Sequence, residues 1–145
     1  MRMHLYQAQL EIRTQGRGFS NISGHIVQAA GASGIQTGTC SVFLHHTSAS
    51  LLIQENADPS VLRDLERWMG KYVPDGKGYE HADEGPDDMP GHIRSMLTHT
   101  SEVIPITGGS LALGTWQALY LWEHRHSPHI RRLTVTSIGT LKESL

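Results

Sequence analysis

One stretch of the chain, KGYEHADEGPDDMPGHIRSMLTH at 77–99, concentrates side chains that could do chemistry. It holds His81, His92 and His99 together with Asp83, Glu84, Asp87 and Asp88. Gly78, Gly85, Pro86, Pro90 and Gly91 recur between them, so the backbone there must turn repeatedly. A surface loop needs charge, but it does not need this many imidazoles. Imidazole is the commonest metal ligand and the usual proton carrier near neutral pH. Nearby carboxylates can ligate, orient a histidine or move a proton. These residue types predict a metal-assisted or acid–base site on this stretch, completed by His46. His46, His81 and His92 would offer nitrogen ligands and leave a position open for water or a substrate oxygen, as catalytic zinc does. The expected cofactor is therefore a divalent metal, with zinc the leading candidate. His81 and His92 lack the short helical spacing of zinc signatures, so the prediction rests on residue types. Taken singly, each loop histidine reads as a solvated side chain. His46 taken singly reads as a hydrogen-bonded core histidine.

The elements that must position these groups follow from periodicity. Over 3–14, Tyr6, Ala8, Leu10 and Ile12 share one face and Gln7, Gln9, Glu11 and Arg13 the other, which predicts a half-buried antiparallel strand. Ser20 or Asn21 starts a predicted helix that stops at Gly31. Positions 38–46 read as a strand with Cys40, Val42, Leu44 and His46 facing one way, and a rigid strand end aims a side chain well. The small residues Thr47, Ser48, Ala49 and Ser50 suit close approach to an anionic ligand, with Thr47 and Ser48 as substrate contacts. Leu51, Leu52 and Ile53 form a short buried strand. Asp58 and Pro59 cap a strongly amphipathic helix that Pro74 ends. A second, shorter helix starts with Asp88 as its cap and runs to about Thr98, placing His92 near its N-terminus. Later strands cover 102–106, then 110–113 and 116–124 as one long strand or two broken at Gly114 and Thr115, and 130–138, with Gly139 closing the last and a loose tail at 140–145. Strands outnumber helices and lack crossover helices between them. The predicted class is α+β with a mainly antiparallel sheet and two or three helices, in one domain over 1–145.

Composition narrows the function classes. The chain has 145 residues and a formal net charge of −2, which argues against a general nucleic-acid or anionic-membrane binder. Its one cysteine, Cys40, rules out an intrachain disulfide and a cysteine zinc cluster. There is no apolar run of bilayer length and no signal-peptide core, so the expected location is the cytoplasm.

Other polar positions have both structural and functional readings. Glu55 and Asn56 either form the turn into a helix or clamp a substrate. Gly114, Thr115, Trp116 and Gln117 suit a β-bulge, yet Thr115 and Gln117 also offer polar contacts beside a permissive glycine. Glu123 shares its face with two leucines, so burying it requires a partner such as His81 or an arginine.

The segments HHTSASLLIQENADPSV, YEHADEGPDDMPGHIRSML and GGSLALGTWQALYLWEHR, in this order, resemble the YjbQ family, also called the secondary thiamine-phosphate synthase family. The resemblance spans nearly the whole chain. It implies a small α+β fold with a β-sandwich-like sheet, assembled as a homotrimer. It also implies weak thiamine-phosphate synthase activity, which joins a pyrimidine pyrophosphate to a thiazole phosphate and releases pyrophosphate. By position, the family's histidines fall on His46, His81 and His92. The associated polar positions fall on Glu55, Asn56, Asp88, Thr115, Gln117 and Glu123.

Three readings follow. The first is an enzyme acting on a small phosphorylated substrate, with His81, Asp88 and Glu123 as catalytic groups and thiamine-phosphate synthesis as a secondary reaction. No glycine-rich phosphate loop is present and nearby cations are few, so a metal must supply most of the positive charge. The second is a metal-dependent hydrolase. The third is a non-catalytic metal or ligand sensor in a trimer.

Overall fold

Strict alternation makes residues 3–13 the outer strand β1 (Met3–Arg13), with Ile12 turned inward and Gln7, Gln9 and Glu11 outward. The computed structural model describes residues 2–76 and 78–142. Lys77, which opens the histidine-rich stretch, and residues 143–145 of the expected loose tail lie outside them. The elements that follow are β2 (Gly18–Asn21), α1 (Ser23–Ala32), β3 (Ile35–Leu44), β4 (Ala49–Glu55), α2 (Pro59–Tyr72), α3 (Asp88–Leu97), β5 (Ser101–Thr107), β6 (Ser110–Leu111), β7 (Gln117–Glu123) and β8 (Ile130–Leu141). They form an antiparallel five-stranded sheet, in order β1-β8-β3-β5-β6, and an antiparallel three-stranded sheet, β2-β7-β4. The fold is α+β, as the strand-rich pattern predicts. Among the described residues, no helix is long and apolar enough to cross a membrane.

The two sheets enclose one core, in which Ile26, Cys40, Val42, Leu44, Leu51, Leu119, Leu121 and Leu133 are almost fully buried. Each such aliphatic side chain contributes roughly 1.5–3 kcal/mol of transfer free energy. A second cluster, Met69, Val73 and Trp122 with Leu52, Leu65 and Ile93, seats α2 and α3 on the other face of the three-stranded sheet. β7 is thus covered on both sides, and Ala118 to Glu123 are all buried. This is why its sequence runs apolar without alternation.

Local signals place α2 well. Asp58 accepts from the Ser60 amide at 2.9 Å, and Pro59 occupies the first turn, where its missing N–H costs nothing. The start of α1 differs from expectation. Ser20 and Asn21 pair with β7, and the helix begins only at Ser23, whose amide donates to Asn21 Oδ1. β3 starts at Ile35 and stops at Leu44, so His45 and His46 lie just beyond it rather than inside it. β4 extends beyond the expected short strand to Ala49–Glu55. Asp87, not Asp88, takes the α3 cap position, which puts Asp88 in the first turn. β8 runs through Gly139 instead of ending there. Gly38 and Gly139 face each other across the ladder so closely that a Cβ would lie 2.0 Å from Ile138 O or 2.1 Å from Thr37 O. Here glycine permits contact between strands and marks no turn.

Candidate functional site

The site assembles where the first turn of α3 meets the loop between β3 and β4. Asp88 and His92 are four apart on α3 and share a face. His92 Nε2 lies 3.3 Å from Asp88 Oδ2. The preceding loop folds back so that His81 Nε2 donates to the same Oδ2 at 2.6 Å, and the two imidazole centroids are 5.4 Å apart. Gly85, at φ 103°, makes that return turn, and the Gly76 amide donates to Pro86 O at 3.1 Å to close it.

Arg125 anchors the carboxylates. Its Nη1 donates to Asp88 Oδ1 at 2.7 Å, its Nε to Asp87 Oδ2 at 3.1 Å and its Nη2 to Glu84 O at 2.8 Å. Asp88 is therefore held by one oxygen and presents the other to the imidazoles. Burial works against its charge, but bonding to His81 and Glu84 and the charge of Arg125 prevail, leaving the carboxyl below its usual range. Helix α3 packs against the loop at Gly91. A Cβ on Gly91 would lie 3.4 Å from Ser48 Cβ and 3.5 Å from Arg125 Cδ.

His92 is oriented from behind. Its Nδ1 donates to the Thr47 carbonyl at 2.9 Å, so the Nε2 of the neutral ring carries a bare lone pair. That lone pair faces a carboxylate oxygen that already accepts from His81. Two acceptors at 3.3 Å call for a cation or a proton between them. One donor atom from each of His81, Asp88 and His92 lies within 4.8 Å of the others. An imidazole fixed through its second nitrogen to a carbonyl, beside a carboxylate, is a fitting donor set for a divalent ion.

The structure separates the remaining predicted residues. His46 lies outside the group that His81, Asp88 and His92 form. The Arg132 amide donates to His46 Nε2 at 2.8 Å, which occupies its lone pair. Partial burial and the charges of Arg131 and Arg132 lower its pKa. His46 and Thr47 instead line a groove of about 270 Å³ beside His92. Ser48 is buried, with Oγ accepting from Arg131 Nη2 at 3.0 Å. Glu123 is fully buried and held by Arg131, with Thr14 Oγ1 donating at 2.7 Å and the amides of His124 and Arg125 adding two more bonds. Its required partner is an arginine, not His81, and it serves the core rather than the pocket. Glu55, Asn56, Thr115 and Gln117 sit at the far end of the β4–β7 ladder. There Glu55 pairs with Gln117, whereas Ala49 pairs with Glu123 at the near end, six residues or about 20 Å away. Asn56 Nδ2 donates to Thr115 O at 3.2 Å, and Gln117 Oε1 accepts from the Gly114 amide at 2.8 Å, so both tie a turn together.

Two residues that matter here were not singled out for roles. Arg125 reads locally as part of a polar turn; its signal is that it is a cation just past a strand end, in a chain whose acidic loop needs one. His124 lies fully buried behind the pocket, with Nε2 2.8 Å from Ser50 Oγ. Burial, then the charges of Arg94, Arg17 and Arg131, hold its pKa down from 6.5 to about 3. The unfolded chain protonates this ring below pH 6.5 and the folded one does not, so stability is intact above that pH and falls as pH drops toward 3. The predicted loss is roughly 1.4 kcal/mol per pH unit. Urea unfolding at pH 6.5 and 4.5 measures it. A His124→Gln variant should lose most of that slope; an unchanged slope would show that another group is responsible.

A curled pair of antiparallel sheets backed by two helices, with a His–Asp–His cluster at the N-terminal turn of one helix, defines a small α+β protein. The family model described as UPF0047 protein YjbQ-like matches residues 8–140, and the chain belongs to that family. A UPF0047 protein of Synechocystis is 55% identical over 135 residues, 92% of each chain. The YjbQ protein of Escherichia coli O157:H7 is 42% identical over 92% of this chain and 98% of its own. Among solved structures, a YjbQ/UPF0047-family protein from Clostridium acetobutylicum matches with a TM-score of 0.82 at 34% identity, covering 90% of this chain and 98% of that one.

Proposed function

We propose that the protein is a metal-dependent enzyme acting on phosphorylated small molecules at His81, Asp88 and His92. The observation that carries this reading is the convergence of His81, Asp88 and His92, with His92 Nδ1 fixed on the Thr47 carbonyl and its Nε2 3.3 Å from Asp88 Oδ2. His81 and His92 would hold the ion, Asp88 would balance its charge, and Arg125 would keep Asp88 in place. A divalent cation there supplies the positive charge that phosphoryl oxygens and a departing pyrophosphate require. The local arginines are otherwise engaged, Arg125 with Asp87 and Asp88 and Arg131 with Glu123. Joining a pyrimidine pyrophosphate to a thiazole phosphate is the reaction of this class that the family resemblance supports. The outer face of the five-stranded sheet exposes Met3, Leu5, Phe43, Val103 and Ile138, which supports assembly as a homotrimer, checked by sedimentation.

The test combines metal analysis of the purified protein with turnover of thiamine precursors and of a panel of phosphate esters and pyrophosphates. The expected result is about one zinc or similar ion per chain and activity that chelation removes. A His46→Ala, His92→Ala double variant should fold and lose turnover. Parent-like turnover by that folded variant would overturn the reading. Hydrolysis without synthesis would assign the site to a hydrolase.

A further inference from the structure

His46 is tied to the sheet in a way that fixes its chemistry. β3 ends at Leu44, yet its pairing with β8 continues for one more step. The His45 amide donates to Arg132 O at 3.0 Å, and the Arg132 amide donates to His46 Nε2 at 2.8 Å. An imidazole nitrogen stands where a strand carbonyl would otherwise accept.

A backbone N–H can only donate, so His46 Nε2 must present a bare lone pair to it. The proton of the neutral ring is then on Nδ1. Adding a second proton would set two N–H groups face to face and break the contact. The surroundings act in the same direction. Partial burial comes first, then the charges of Arg131 and Arg132, and together with His45 they outweigh Glu123 and keep the ring neutral. With Nε2 engaged and Nδ1 protonated, His46 has no lone pair to offer a metal and none to take a proton. What it retains is one N–H donor, and none of the described residues accepts from it.

His46 lines the groove of about 270 Å³ together with Thr47, His92, Ser95, Met96 and Thr100. No lysine or arginine is among them. Ser95 Oγ gives its proton to Ala49 O at 3.0 Å, and the Thr47 carbonyl is taken by His92 Nδ1. The side-chain donors left in this lining are the His46 Nδ1–H and the hydroxyls of Thr47 and Thr100. We infer that His46 is a fixed, neutral hydrogen-bond donor to a substrate oxygen in this groove, and neither a metal ligand nor a base. His92 belongs to both the groove and the His–Asp–His group, so that oxygen would lie next to the ion. The site of that oxygen rests on the metal-site reading above, whereas the tautomer of His46 does not.

Long-range nitrogen–proton NMR spectra of the full chain at neutral pH tell bare from protonated ring nitrogens, with His46 assigned through His46→Gln. The expected result is a bare Nε2 and a protonated Nδ1, before and after zinc is added. A charged ring, the opposite tautomer, or a change to a metal-bound ring on zinc addition would overturn the inference. Binding is read calorimetrically with inorganic phosphate on the zinc-loaded chain. His46→Gln, whose amide can both accept from Arg132 and donate, should bind phosphate within about 3-fold of the parent. His46→Ala should bind it about 10-fold or more weakly, because a hydrogen bond to a charged group is lost. Zinc uptake should stay at the parent level in both variants. A ring that only ended the ladder would lower the urea midpoint of His46→Ala and leave phosphate affinity at the parent value, which would also overturn the inference. If no zinc binds, the metal reading falls, and the phosphate titrations on the metal-free chain decide between the same two outcomes.

Discussion

The Asp88→Asn protein is predicted to fold like its parent and to bind zinc at least about 100-fold more weakly. Removing an outer-sphere partner of a metal site already costs about 10- to 100-fold in affinity, and Asp88 is placed as a direct donor. The substitution keeps the shape, and the oxygen of the introduced amide can still accept from Arg125. It removes the negative charge that His81 and His92 both face, at 2.6 and 3.3 Å. Competition with a chromophoric chelator measures the affinity, and circular dichroism with urea unfolding checks the fold. Parent-like affinity in the Asp88→Asn variant would show that the carboxylate does not contribute to metal binding. Affinity in the parent should also fall as the pH is lowered, because a metal competes with protons for imidazole.

The second large effect concerns Glu123. Replacing it by alanine is expected to destabilise the fold by about 3–5 kcal/mol, because Arg131 would remain buried without its counter-charge. Glu123 is 0% exposed and Arg131 3%, so water cannot readily replace the lost partner. Burial opposes the Glu123 charge, but Arg131 and Thr14 outweigh it and keep its carboxyl below the usual range. Glu123→Gln should lose less than the alanine variant, because an amide oxygen in the place of Oε2 still accepts from the His124 and Arg125 amides. Urea midpoints give both values. A cost under about 1 kcal/mol for alanine would place Glu123 outside the set of groups that hold the two sheets in register. It would also reopen the catalytic role expected for it.

Much of the architecture was readable because its signals are local. The period-two pattern of 3–13 became β1, and Asp58-Pro59 with its apolar stripe became α2. The His-rich stretch did contribute to the pocket through His81, Asp88 and His92. β2 was missed because Gly18–Asn21 is too short to show a period, and its identity comes from pairing with β7. Gly139 looked like a stop because glycine usually marks a turn, and only its partner Gly38 makes it a point of close strand contact.

Composition and spacing alone determined that imidazoles and carboxylates would crowd one glycine- and proline-broken loop, and that sheets would outweigh helices. Tertiary structure decided which of those groups meet. It set Asp88 between His81 and His92, brought in Arg125 from beyond β7, and engaged Glu123 with Arg131. It also sent Glu55, Asn56, Thr115 and Gln117 to the opposite end of a ladder whose register no single segment encodes. The physical reason is range. Periodicity and capping act over a few residues, whereas ion pairing and ligand geometry depend on groups tens of residues apart, whose approach is set by how the sheets and helices pack.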